Sequence, residues 1–168
     1  MKKFLSYGAM IVTVGTAWLF VLGSAWADLD RDEVRDALYA LHAHQAELAE
    51  LARERAERDE VAQLASTLER DHGILEEWLV AADERGEAPE RSDEAVHDSE
   101  AFEALHELEG EAFDEAFLAY QMELHVAAIE YLEQHRPQGD EQMDEFNNHL
   151  FVTHEALLVN GELIDSLR

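Results

Sequence analysis

The sequence predicts an all-α fold: an antiparallel four-helix bundle with a short extra helix in the long connection between the second and third long helices. Three observations carry that expectation. Apolar residues recur at three- and four-residue steps through four long stretches, the spacing that lines one face of a helix. No stretch alternates with the two-residue period of a half-buried strand. Both prolines, Pro89 and Pro137, fall in polar gaps between the periodic stretches, where a helix cannot continue.

From Asp30 to about Arg58, Val34, Leu38, Leu41, Leu48 and Ala52 share a seam uninterrupted by proline or glycine, which predicts a helix of about eight turns. Asp59 is placed to cap a second helix to about Arg85, with Val61, Leu64, Leu68, Leu75, Leu79 and Ala82 on its seam and Gly86 beyond its end. The link between the two is short, so they must fold back as a hairpin. Residues 86–98, with Gly86, Pro89, Ser92 and Asp93, read as a polar loop. A short helical piece follows, with Phe102, Leu105 and Leu108 on one side and Gly110 near its end.

The third long helix, about 112–136, carries two adjacent apolar rows. Phe113, Phe117, Leu124 and Ala128 form one, and Leu118, Met122, Ile129 and Leu132 the other, a face wide enough to demand deep burial. Residues 136–140 form a turn in which Asp140 can cap a fourth helix, running to about Leu167 through Met143, Phe146, Leu150, Leu157 and Ile164. The two hairpins resemble each other, each second helix opening on Asp-Glu at Asp59 and Asp140. Duplication and the common demands of hairpin geometry explain this equally well.

Residues 1–27 read as a secretory signal: Lys2 and Lys3, an apolar run Ile11–Leu22, and the small-x-small site Ala25-Trp26-Ala27. The other reading is an uncleaved inner-membrane anchor over residues 4–22, nearly long enough to span a bilayer when tilted. Both put the working domain, residues 28–168, outside the cytoplasm, in the periplasm. Those 141 residues suffice for one domain. Cysteine is absent, so packing alone must hold the fold in an oxidising compartment.

Both lysines lie in the signal, leaving ten arginines against 39 acidic groups, a formal charge of −29. Phosphate backbones and anionic lipid headgroups are repelled by such a surface, which excludes nucleic acid and an anionic membrane surface as partners. A second copy of the chain or another envelope protein is the partner class that remains. Acidic residues with arginine in place of lysine fit either a halophilic setting, where salt screens self-repulsion, or a merely acidic soluble bundle.

Four histidines, His44, His72, His125 and His154, each fall near the middle of a different long stretch. Helix rise places His72 and His125 each about 20 Å along its own helix. Reflecting position 72 through the first turn lands near residue 45, beside His44. Reflecting 125 through the turn at Pro137 lands near 150, about 6 Å from His154. The imidazoles are thus expected to share a mid-bundle layer, where helical bundles place metals. Glu69 and His72 form a Glu-x-x-His pair, and Met122 precedes His125 by three, a thioether better suited to copper(I) than to iron. A lone histidine on an apolar seam is more often a core residue hydrogen-bonded to a carbonyl or carboxylate. His42, His97, His106, His135 and His149 read as solvated or capping residues, and Trp78, Tyr120 and Tyr131 as core or interface aromatics.

Other chemistry is thin. The chain lacks a cysteine nucleophile, a Gly-x-Ser-x-Gly elbow and a phosphate-cradling glycine loop. A dinuclear iron oxidase needs about four inward carboxylates with two histidines, and only Glu69 with His72 meets that motif. No catalytic residues are therefore assigned.

Val61-Ala62-Gln63-Leu64-Ala65 through Asp71-His72, Gly110-Glu111-Ala112-Phe113-Asp114 through Met122 and His125, and His154 with Leu157 to Leu163 resemble the second, third and last helices of domain of unknown function 4142. That family is bacterial and exported, its members often labelled outer-membrane proteins. The resemblance implies a ferritin-like helical bundle and an envelope location, and it implies no reaction. Where the family tends to have a first-helix glutamate, Gln45 or Glu47 stands here, so a first-helix metal ligand is not carried over. The expected function is therefore binding of one transition-metal ion, copper, zinc or iron, through His72, His125 and His154 with Glu69 or His44 completing the shell, for metal handling or stress protection. The competing expectation is a metal-free structural or interaction module of the cell envelope.

Overall fold

The computed structural model describes residues 31–82, 99–136 and 144–168. Five helices occupy them, and no strand occurs among the described residues: α1 (Arg31–Arg55), α2 (Asp59–Ala82), α3 (Ser99–His106), α4 (Gly110–His135) and α5 (Glu145–Asp165). The signal segment and the loop expected over residues 86–98 lie outside the described residues. Among those described, no helix is long and apolar enough to cross a membrane.

Helix α1 carries Asp32 and Glu33 in its first turn and Arg53 and Arg55 in its last, charges that oppose the helix dipole at both ends. Only residues 56–58 separate α1 from α2, so the chain reverses and the two helices pack along their lengths. Helices α4 and α5 form a second such pair; α2 also packs on α5, α1 on α4, and α3 on α4. The predicted seams meet inside: Leu48, Ala52, Val61, Leu68, Phe113, Phe117, Leu132 and Ile164 are fully buried. A cluster containing all of these runs through the four long helices.

One end of the assembly is tied by a buried carboxylate. Asp114, at the start of α4, is inaccessible to solvent and accepts the backbone N–H groups of Glu57 and Arg58 at 3.1 and 2.9 Å. The Arg58 guanidinium donates to it at 3.2 Å and to the Leu167 carbonyl at 3.1 Å. The hairpin turn, the α4 start and the chain end are thereby joined.

Two expected boundaries move. Gly110 does not close the short helix but opens α4, with φ +63°, a left-handed conformation that glycine adopts without steric strain. A Cβ there would stand 3.0 Å from Glu57 Oε2, so a larger residue would have to displace that carboxylate as well as adopt the strained φ. The cap of the last helix is Asp144, whose side chain accepts the Asn147 N–H at 2.8 Å. Asp140, expected in that role, lies outside the described residues.

Candidate functional site

Each of the four long helices sends one imidazole into the centre: His42 from α1, His72 from α2, His125 from α4 and His149 from α5. All four are essentially inaccessible, between 0 and 2 % exposed. They touch in sequence rather than in a closed ring. The His125 and His72 ring centres are 5.6 Å apart, His72 and His42 5.1 Å, and His42 and His149 6.1 Å. The outer edge of this chain of rings is Trp78, 5.1 Å from His149. A second polar layer lies beside it, where Gln45 and Gln121, both buried, exchange two amide hydrogen bonds of 2.9 and 3.1 Å.

The hydrogen bonds fix much of the protonation pattern. His125 Nδ1 donates to the Gln121 carbonyl one turn earlier at 2.8 Å, which leaves its Nε2 a bare lone pair. His149 Nε2 donates to the Leu75 carbonyl at 2.9 Å, and its Nδ1 faces the Thr153 hydroxyl at 3.4 Å. His42 Nδ1 and His72 Nδ1 meet at 2.9 Å, so one ring donates and the other accepts. The donor ring has a bare Nε2; the acceptor ring carries its proton on Nε2. The Nε2 atoms of His42, His72 and His125 are buried and have no hydrogen-bond partner, where an unmet buried polar group costs about 1–3 kcal/mol.

Burial dominates the electrostatics. Desolvation, with His149 adding like-charge repulsion, pushes His42 down to about 3. Desolvation lowers His125 to about 4 against the opposing hydrogen bond to Gln121. His72 is held well below the ordinary imidazole value by burial and then by His42 and His125, and His149 is lowered by burial. At neutral pH the layer is therefore four uncharged imidazoles, the form that binds metals.

Of the residues expected at a metal site, the structure brings His72 and His125 together and sends the others elsewhere. His44 turns to the opposite flank of α1, its Nε2 sharing a 2.9 Å hydrogen bond with the Tyr120 hydroxyl, its Nδ1 3.3 Å from Glu47 and its ring packed 4.7 Å from Phe102 of α3. His154 faces the α4–α5 seam among carboxylates, 3.3 Å from Glu155 and 3.8 Å from Glu133. Glu69 is bound to Arg53 at 2.6 Å on the surface.

His42 and His149, expected to be solvated or capping, take the vacated places. The first turn is centred on Glu57, about one and a half residues nearer α1 than the spacing suggested, and this moves the level of His72 by twice that, from residue 45 to His42. The reflected position 150 is one residue from His149, which was the available signal for it. His106 and His135 do cap locally, through the Phe102 and Tyr131 carbonyls, while His97 lies outside the described residues. Among the described residues, no group of three His, Asp or Glu side chains is placed to hold one ion.

Residues 24–145 match the profile of a family described as "Domain of unknown function (DUF4142)". The chain belongs to that family. The match spans α1 to α4 and their three layer histidines but stops at the start of α5, so His149 lies beyond it, as does the last-helix resemblance around His154. No curated protein matches the chain. A crystal structure of a protein described as secreted, DUF305 from Streptomyces coelicolor, is similar at a TM-score of 0.68 with 13% identity, covering 82% of this chain and 90% of the other. At that identity the likeness of this DUF4142 chain to it concerns the helical fold.

Proposed function

We propose that this DUF4142 chain is an exported four-helix bundle, a single domain over residues 28–168 behind a signal over residues 1–27, whose central imidazole layer binds one transition-metal ion. The bundle is supported by the packing order α1–α2–α5–α4, which returns to α1, and export by the composition of the first 27 residues. The single observation that carries metal binding is the His72–His125 contact. Two rings bound to one ion through bonds of about 2.0–2.1 Å have centres about 6.4 Å apart when diametrically opposed and closer when the angle at the ion is bent, and these stand at 5.6 Å with their planes at 80°. His125 has the outer-shell arrangement of a ligand, Nδ1–H on a carbonyl and Nε2 bare.

The ligand set proposed is His72 and His125, with His42 and His149 as buried neighbours in the same layer. His44 and Glu69 are left out because their present partners occupy them, and His154 because it lies on the α4–α5 seam beside Glu133 and Glu155, apart from the layer. Equilibrium dialysis of the purified full chain tests this. One equivalent of zinc, copper, nickel or iron retained at micromolar concentration is expected, and retention of none overturns it.

A metal-free interaction module is the second reading, favoured by an exposed apolar face on α5. Val152, Val159 and Leu163 lie along one side of that helix, each at least 41 % exposed. On that reading the imidazoles are core residues, and the dialysis experiment returns no metal.

A further inference from the structure

Resting on the metal-binding reading above, we infer that the imidazole layer selects a monovalent d10 ion, copper(I), over zinc(II), iron(II) and other divalent ions. Two features of the site point the same way.

The first is charge. Every group in the layer is a neutral nitrogen donor, and the chain has no thiolate to offer. The one buried carboxylate among the described residues is Asp114, eleven residues from His125 and so about 16 Å away along α4. It is already held by Arg58 and two backbone N–H groups. An ion entering the layer therefore keeps its full charge in a dry interior. The desolvation penalty grows with the square of that charge, so a divalent ion loses about four times as much as a monovalent ion of similar size. Zinc sites offset this with thiolate or carboxylate ligands, and among the described residues no such group is buried beside these rings.

The second is coordination number. Structural zinc takes four protein ligands, and hard divalent ions take six or more oxygens. Here no three acidic or imidazole side chains among the described residues reach a common ion, while two neighbouring rings, His72 and His125, with centres 5.6 Å apart, each keep a buried Nε2 without a hydrogen-bond partner. Two nitrogen ligands satisfy copper(I), whose filled shell tolerates two-coordination. They leave a zinc or iron ion short of its usual ligand number.

The test is anaerobic competition on the full-length protein, with a chromogenic copper(I) chelator in one arm and a zinc(II) indicator in the other. Copper(I) binding at least on the order of 100-fold tighter than zinc(II), matched by silver(I), is the expected result. Zinc(II) bound as tightly as copper(I) overturns the selectivity and leaves the metal-binding reading standing; failure of every ion to bind overturns both. Location is read on the unmodified protein, since the copper(I) and silver(I) complexes are diamagnetic. Imidazole NMR shifts concentrated on His72 and His125 are expected, and shifts confined to His44 or His154 overturn the assignment.

Discussion

The two buried polar regions of this molecule answer the same problem in opposite ways. At the α1–α2 turn, Asp114 is fully enclosed and three donors reach it at 2.9–3.2 Å. In the middle of the molecule four histidines are equally enclosed, yet three of them keep a ring nitrogen with no partner. A polar group retained for architecture is satisfied by the fold that retains it. The imidazole layer is not, and that imbalance supports the proposal that it is a site rather than a tie.

Acid is the strongest way to break the comparison. In the metal-free protein His42 and His125 resist protonation down to about 3 and 4, whereas in the unfolded chain they take up protons below about 6.5. Stability is thus complete above pH 6.5 and falls as pH drops toward 4, by about 3 kcal/mol for each of these two rings at about 1.4 kcal/mol per pH unit. Denaturant melts between pH 7 and 4 should show this loss; a flat profile would mean the rings are not desolvated. The contribution of the Asp114 tie is read by substitution instead. Asp114→Ala strands two N–H groups and a guanidinium and should destabilise by about 3 kcal/mol at pH 7, seen as a lower denaturant midpoint.

The smallest effect is expected from the double substitution His42→Leu with His72→Leu. Removing both members of a buried hydrogen-bonded pair in favour of apolar side chains of similar size is close to neutral. The metal-free variant should stay within about 1 kcal/mol of the parent while its acid sensitivity shrinks. A loss as large as that of Asp114→Ala would make the layer a structural tie after all.

Sequence periodicity exposes the helices because burial and helical phase act on the same residues. Leu38, Leu48, Leu68, Phe117 and Leu157 carry the pattern and all are buried. Depth along the bundle is legible too, to within a turn: His72 and His125 do meet. Rotation about the helix axis is not. His42 and His44 are two residues apart and project to opposite flanks of α1, one toward α2 and one toward α4. Deciding which of them faces the centre needs the turn to be placed to better than one residue. The same ambiguity separates His149 from His154. Glu69 illustrates a different limit, since a Glu-x-x-His spacing describes one helix and cannot reveal that Arg53 of another claims the carboxylate.

Because every ring in the layer is shut away from solvent, an ion lodged among them would have to leave between packed helices. Its departure waits on the helices parting, a breathing motion whose frequency reflects the cohesion of the core. Exchange would then be slow even where affinity is modest, and the molecule would act less as a buffer in rapid equilibrium than as a vault with a long residence time.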